Sequence, residues 1–182
     1  MKLSRIFGFA LILGLFSSCV QNSDDIEVVV PNYTDFIGTW DLESYSYTGY
    51  ATYDTNGVVD TTATYVASSI ILDADVEFTQ NPNTIVTSGT GSIDVSLTIG
   101  GITITQTEDS VLFDGNGTWG AAGDTITIDF ASFGADVSNS SAYISSFTDS
   151  TATILGVAEF TQDTLGYELD HHIDYTLNLV KN

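Results

Sequence analysis

The sequence predicts an all-β antiparallel domain, and three observations support this. Thr, Ser, Val, Ile and Tyr dominate the chain after residue 18, and no segment there repeats apolar residues at the helical period of 3.6. Apolar and polar residues alternate over runs of strand length. Turn signals such as Asn56-Gly57 and Gly100-Gly101 separate the runs. Because no helices lie between them, we expect about nine or ten strands in a sandwich or an up-and-down barrel.

Individual strands are expected to turn one face to a core and the other to water. From Ile70 to Phe78, one face carries Ile70, Leu72, Ala74, Val76 and Phe78, and the other carries Asp73, Asp75 and Glu77. The same alternation selects Ile93, Val95, Leu97 and Ile99; Ile102 and Ile104; Val111, Phe113 and Trp119; Ile126, Ile128 and Phe130; and Leu169, His171, Ile173, Tyr175, Leu177 and Leu179. The stretch Ala131 to Ser141 is predicted to be a loop, and Asp149-Ser150 a hairpin turn.

The N-terminus has the pattern of a targeting segment. Lys2 and Arg5 precede an apolar run of eleven residues, which is shorter than the ~20 that a transmembrane helix needs. Ser17-Ser18-Cys19 follows and resembles a bacterial lipobox, in which the cysteine is acylated. We expect a lipoprotein signal peptide over residues 1–18, an acylated Cys19 with a flexible acidic tether over 19–34, and one folded domain over 35–182. An ordinary signal peptide with a chance cysteine is the alternative.

Ser23-Asp24-Asp25 in the tether resembles the acidic export signal of surface lipoproteins in Bacteroidota. With Cys19, it predicts a protein that is lipid-anchored in the outer membrane and displayed at the cell surface. Plain linker composition explains the same three residues equally well.

Composition excludes two kinds of partner. The formal net charge is −21, and two of the three basic residues precede Cys19. Nucleic acid and anionic membrane surfaces need clustered Lys and Arg, so neither is expected as a partner. Hydrophobic residues make up 43% of the chain, which argues against disorder. Cys19 is the only cysteine, so an intramolecular disulfide is excluded.

Two Gly-x-Trp triplets carry a family resemblance. Gly38-Thr39-Trp40 opens the first predicted strand, and Gly117-Thr118-Trp119 precedes Gly123-Asp124. With the lipobox and tether, the chain resembles bacterial lipocalin-like lipoproteins of the Bacteroidota type. The resemblance implies an up-and-down barrel with Trp40 at its closed end and Gly38, Gly117 and Trp119 in the same closing motif. The arginine that packs on this tryptophan in better-known lipocalins has no counterpart, since no Arg follows Arg5.

The resemblance also implies a barrel interior that holds a small apolar molecule. The candidate lining residues are Phe78, Phe113, Tyr143, His171 and Tyr175. His171 and His172 are neighbours in a predicted strand and therefore point to opposite faces, so they are not expected to share a metal. Asp73, Asp75 and Glu77 are expected to be a solvated face. No catalytic residue, metal or cofactor is predicted, and the protein is not expected to be an enzyme.

Two functions follow from these observations. The first is binding of a small apolar molecule inside the barrel. The alternative is a structural or interaction protein with a barrel filled by side chains. Its loops, such as Ala131–Ser141, or the tyrosine-rich segment from Tyr45 to Tyr53 would then contact glycan or protein.

Overall fold

The computed structural model describes residues 33–55, 58–122, 125–133, 137–164 and 167–182. Over these residues the chain has one turn of 3-10 helix and nine β-strands. The helix is Tyr33–Phe36, and the strands are β1 Gly38–Thr55, β2 Val58–Thr79, β3 Thr84–Ile99, β4 Ile102–Leu112, β5 Gly115–Ala122, β6 Thr125–Phe133, β7 Val137–Phe147, β8 Thr151–Thr164 and β9 Tyr167–Lys181. The expected signal peptide, Cys19 and most of the tether lie outside the described residues, as do the turns at residues 56–57 and 123–124. Of the residues described, no helix is long and apolar enough to cross a bilayer.

The strands close into an antiparallel barrel. Strands that are neighbours in sequence pair with one another, except β4 and β5, which both pair with β3; β1 pairs with β9. β4 pairs with residues 90–99 of β3, and β5 pairs with residues 84–87 of the same strand. β4 and β5 therefore share one position in a ring of eight. The strand expected from Val111 to Trp119 is interrupted between Leu112 and Gly115, but the Phe113 N–H still donates to the Gly89 carbonyl over 3.0 Å, so β5 continues along β3 where β4 ends.

The barrel is complete over only part of its length. β7 pairs with β8 between Ser141–Val157 and Phe147–Ala152. Within the described residues, no pairing joins β4 to β6 or residues 158–164 of β8 to β7. We call the part where all eight positions pair the closed half. The rest, an extension of six strands in the order β8, β9, β1, β2, β3 and β4 with two free edges, is the open half.

Large side chains fill the closed half. The Phe36 ring lies 4.0 Å from the Phe78 ring and 5.4 Å from the Phe147 ring, measured between centroids. The fully buried set also includes Trp40, Val76, Ile85, Phe113, Ile128, Phe130, Ile154, Leu177 and Leu179. Burying each such side chain stabilises the fold by about 1.5–3 kcal/mol, so this cluster is the main source of stability.

The prediction of an all-β antiparallel up-and-down barrel is confirmed, with nine strands among the described residues, but several local predictions are wrong. Ile70 was expected on the inner face and is 52% exposed, because a bulge in the β2–β3 pairing between Ser69 and Ile71 turns it outward. The loop expected over residues 131–141 is mostly strand: β6 continues to Phe133, and β7 begins at Val137. There the ladder hydrogen bonds override the turn preference of small polar residues.

Candidate functional site

The base of the closed half is sealed by the residues of the two Gly-x-Trp triplets. The Trp40 indole N–H donates to the Phe36 carbonyl over 2.9 Å, and the Trp119 indole N–H donates to the Thr79 carbonyl over 2.8 Å. The Phe36 ring lies between the two indoles, at 5.7 and 6.4 Å. Gly38 begins β1, and Gly117 lies in β5 opposite Phe130. Both tryptophans are buried and hydrogen-bonded, so they and Phe36 fill this end of the barrel among the described residues.

A lysine takes the place of the missing arginine at this base. The Lys181 ammonium nitrogen lies 5.3 Å from the centroid of the Trp40 ring and donates to the carbonyl of Asp35. Lys181 is the one Lys or Arg after Arg5. It joins the end of β9 to the turn of helix before β1.

The residues predicted to line the interior lie in three different places. Phe78, Phe113 and Tyr175 are buried in the packed core. Tyr143 is 48% exposed on the outer face, so the prediction that it lines the interior is wrong. In β7 it is the neighbouring Ala142 that is buried and paired with the buried Ile128, which leaves Tyr143 pointing outward. His171 alone lies on the inner face of the open half, where it is half-buried.

His171 is held by two aromatic side chains. Phe160 of β8 stacks on its ring with centroids 4.6 Å apart and an interplanar angle of 3°. The Tyr65 hydroxyl oxygen lies 2.9 Å from His171 Nδ1, and this hydroxyl donates to the Tyr50 carbonyl over 3.1 Å. A hydroxyl has only one proton; with that proton on the Tyr50 carbonyl, His171 Nδ1–H donates to Tyr65. The second ring nitrogen, Nε2, is then an acceptor.

That acceptor is unsatisfied in the part of the chain that the structure describes. His171 Nε2 is buried and has no hydrogen-bond partner among the described residues. Burial lowers the pKa of His171, and the charge of Asp170 partly opposes this shift. The lowered pKa favours the neutral imidazole. Burial also raises the pKa of Tyr65 to about 12, which keeps its hydroxyl protonated. The pair therefore presents a neutral acceptor at the edge of an apolar surface.

Two tyrosines reach their partners by lying across a glycine of the adjacent strand. Tyr65 is paired with Gly49 and crosses it to reach His171, and Tyr175 is paired with Gly156 and crosses it to Ser140, with 3.1 Å between the hydroxyl oxygens. A Cβ atom on either glycine would overlap the tyrosine ring. The sequence analysis missed Tyr65. The available signal was Gly49, because a glycine within a strand marks a place where another group approaches the backbone closely.

The inner face of the open half continues as exposed apolar surface. Leu97 pairs with Ile104, and Ile99 pairs with Ile102, so these four side chains share the face of the buried Ile93. Ile102 is 70% exposed, and Ile104 is 64% exposed. This surface lies on the inner side of the sheet, which also carries Tyr65 and His171, and Gln106 and Glu108 continue the same face along β4. We call it the open-half trough.

His172 lies on the opposite face of the same strand. Its Nδ1 is 3.1 Å from a carboxylate oxygen of Glu159, its Nε2 is 3.4 Å from Asp174, and its ring stacks on Tyr50 at 5.1 Å. Among the described residues, no group of three or more His, Cys, Asp or Glu side chains is placed to hold a metal ion.

The fold and site define an antiparallel up-and-down β-barrel with one sealed end and one open half. No known protein family matches the sequence, and no curated protein matches it. Among solved structures, the chain is similar to the S-type phycobiliprotein lyase of Guillardia theta, with 9% sequence identity and a TM-score of 0.27. That alignment covers 82% of this chain and 90% of the lyase chain. At this level of likeness, no residue role is transferred to the present protein.

Proposed function

We propose that the protein binds a small, mainly apolar molecule in the open-half trough. The observation that carries the proposal is the exposure of Ile102 and Ile104 on the inner face, where the register places them beside Leu97 and Ile99. An apolar surface left uncovered on the inner face of a barrel is characteristic of a ligand site. The sealed base and packed closed half support the open half as the place of binding.

The chemistry of the trough favours a ligand with one hydrogen-bond donor on an apolar body. His171 Nε2 is a buried acceptor, and leaving it without a partner costs about 1–3 kcal/mol. Phe160 and Tyr65 fix the imidazole, so the acceptor has one orientation. A hydroxyl or amine of the ligand would satisfy Nε2 after a small displacement of the side chains that cover it. A carboxylate would be repelled by both the lone pair and the net charge of −21.

We further propose that the barrel is tethered to the outer membrane through an acylated Cys19 and displayed at the cell surface. The small residues before this lone cysteine and the acidic tether support the proposal. Replacement of Cys19 by serine should release the full chain from the membrane fraction. Retention of the Cys19→Ser chain in that fraction would contradict acylation.

The role we propose is binding without catalysis. In the trough, His171 is itself a neutral base, but Tyr65 and Phe160, the side chains that contact its ring, supply no acid or nucleophile to act with it near neutral pH. The packed closed half gives partial support to the alternative, a surface protein whose barrel is filled by side chains. However, the segments expected to form its contact loops are largely strand, and Tyr45 and Tyr47 pack against the core.

A site-resolved labelling experiment tests the trough. The full chain is illuminated with an uncharged apolar diazirine probe, and the labelled peptides are mapped by mass spectrometry. Label should concentrate in the β3–β4 hairpin and around His171, and Ile104→Asp should remove it. Ile71→Asp is the matched control, because Ile71 is 67% exposed on the outer face. Equal labelling of inner and outer faces, or no effect of Ile104→Asp, would overturn the proposal.

A further inference from the structure

A groove of about 770 Å³ crosses the outer face of the barrel wall, separate from the trough. Its floor is one row of side-by-side residues, Ala67, Tyr47, Tyr175, Gly156 and Ala142, paired in succession across β2, β1, β9, β8 and β7. The side chains of this row point inward, so only the backbone of the row lines the groove. The rows on either side point outward and form its walls.

The small residues of the floor explain why a barrel wall is concave on its outside. Ala67, Gly156 and Ala142 have little or no side chain to hold the sheet away from the core, and Tyr175 lies flat across Gly156. The wall can therefore bend inward along this row. The groove crosses six adjacent strands, in the spatial order β2, β1, β9, β8, β7 and β6. At the spacing of adjacent strands, its length is roughly 24 Å.

The two walls have different chemistry. One wall carries Asp174, Val157, Ser141 and Asp129 in succession across β9, β8, β7 and β6. The facing wall carries Thr176, Leu155, Tyr143 and Thr127 across the same strands. Over β8 and β7 the groove is thus apolar, with a tyrosine, and hydroxyls and carboxylates flank this part on both sides.

No contact in the described part of the protein accounts for the tyrosine at position 143. Its side chain is 48% exposed, and it makes no hydrogen bond or ring contact within the described residues. The other exposed outer-face tyrosine, Tyr50, stacks on His172. An aromatic ring left free in a groove offers a flat apolar platform for a ligand.

We propose that this outer groove binds a neutral carbohydrate chain. A pyranose ring has an apolar C–H face that packs on an aromatic ring, and its rim of hydroxyls donates to carboxylates and exchanges hydrogen bonds with Ser and Thr. Tyr143 supplies the platform, Asp129 and Asp174 accept from sugar hydroxyls, and Ser141, Thr127 and Thr176 complete the polar contacts. The length of the groove suits an extended chain of several sugar rings.

Two other ligand chemistries fit less well. An extended peptide is usually captured by backbone pairing with a free strand edge, and the backbone groups of the floor are already used by the ladder pairings on either side. An anionic glycan would face Asp129, Asp174 and a net charge of −21 without a basic residue in the groove. A neutral polyol meets neither obstacle.

Affinity electrophoresis of the full chain tests the proposal with defined probes. Native gels would contain xyloglucan, galactomannan, hydroxyethylcellulose, dextran or soluble starch, with polygalacturonate as the anionic control. At least one neutral polysaccharide should retard the protein. Tyr143→Ala should weaken that binding by about tenfold or more, as expected for an aromatic anchor of a binding site. Tyr143→Phe should keep most of it, and Tyr50→Ala should leave it unchanged.

Three results would overturn the assignment. One is the absence of retardation by every neutral polysaccharide. Another is retardation that Tyr143→Ala does not change. The third is binding of a lysine-rich peptide alone, lost in Asp129→Asn and Asp174→Asn, which would assign the groove to a basic peptide. Labelling of the open-half trough is measured on the same variants and should be unaffected by Tyr143→Ala, so failure of either proposal is seen separately.

Discussion

The Lys181 ammonium lies over the Trp40 ring, 5.3 Å from its centroid, and donates to the carbonyl of Asp35. This one cation therefore closes the base of the barrel. It connects the last strand, the first strand and the turn of helix that carries Phe36. The chain has a net charge of −21, and its single Lys or Arg after Arg5 lies at the base of the barrel.

Removal of this contact should destabilise the barrel. Lys181→Met keeps the aliphatic stem but loses the cation–π contact and the hydrogen bond, so the free energy of unfolding should fall by about 1–2 kcal/mol in urea denaturation. Lys181→Arg is the control and should retain most of the stability. Equal stability of the methionine variant and the wild type would show that the contact is incidental.

The glycine beneath Tyr175 should be irreplaceable while the tyrosine is present. Gly156→Ala places a methyl group inside the Tyr175 ring, and overpacking of this kind costs about 1–3 kcal/mol. In the double variant with Tyr175→Ala, the alanine at position 156 should cost much less. A double-mutant cycle of thermal or urea unfolding measures the difference. Strictly additive effects would mean that the ring does not lie on the glycine.

A buried hydroxyl in the closed half should be dispensable. Thr87 is 3% exposed, and its Oγ1 has no hydrogen-bond partner in the described part of the chain. Thr87→Val removes an unsatisfied polar atom with little change of shape, so stability should rise by about 1–2 kcal/mol. Thr79→Val is the matched control and should lower stability, because the Thr79 hydroxyl lies 2.6 Å from that of Thr84. A destabilised Thr87→Val variant would refute the assignment.

The paired carboxylates Asp41 and Asp75 predict a stability change that depends on pH. Partial desolvation raises the pKa of the Asp75 carboxyl, and a hydrogen bond to Asp41 and the charges of Asp41 and Asp73 raise it further. A raised folded-state pKa means that the native state is favoured below the unfolded value of about 3.9 and loses that advantage as pH rises through the folded value.

Asp75→Asn should therefore raise the melting temperature at pH 7, and the gain should vanish near pH 3. Glu77→Gln is the control on the same face, because Glu77 is opposite Thr39 and not a second carboxylate. A gain that persists unchanged at pH 3, or an equal gain in the control, would contradict the pairing.

The sequence predicted most of the strands but neither their bulges nor the strand residues within 131–141. Alternation placed Val76 and Leu177 in the core, because a period of two depends on local sequence alone. It failed at Ile70, where one extra residue reverses the faces, and only the partner strand determines where that residue is inserted.

The candidate site was predictable only in part. His171 was selected because it shares a face with apolar residues. Its partner Tyr65 was missed, since the contact depends on the ring crossing Gly49 between two other strands. Lys181 could have been inferred as the substitute for the absent arginine, because no other Lys or Arg follows Arg5.

The central claim, that the open half holds a small molecule, is tested most directly by native mass spectrometry of the full chain isolated in mild detergent from its own host. We expect a bound species of small mass with the wild type and with Ile71→Asp, and its loss with Ile104→Asp. A wild-type chain that carries no small molecule would contradict the claim and favour a filled barrel that acts through its outer surface.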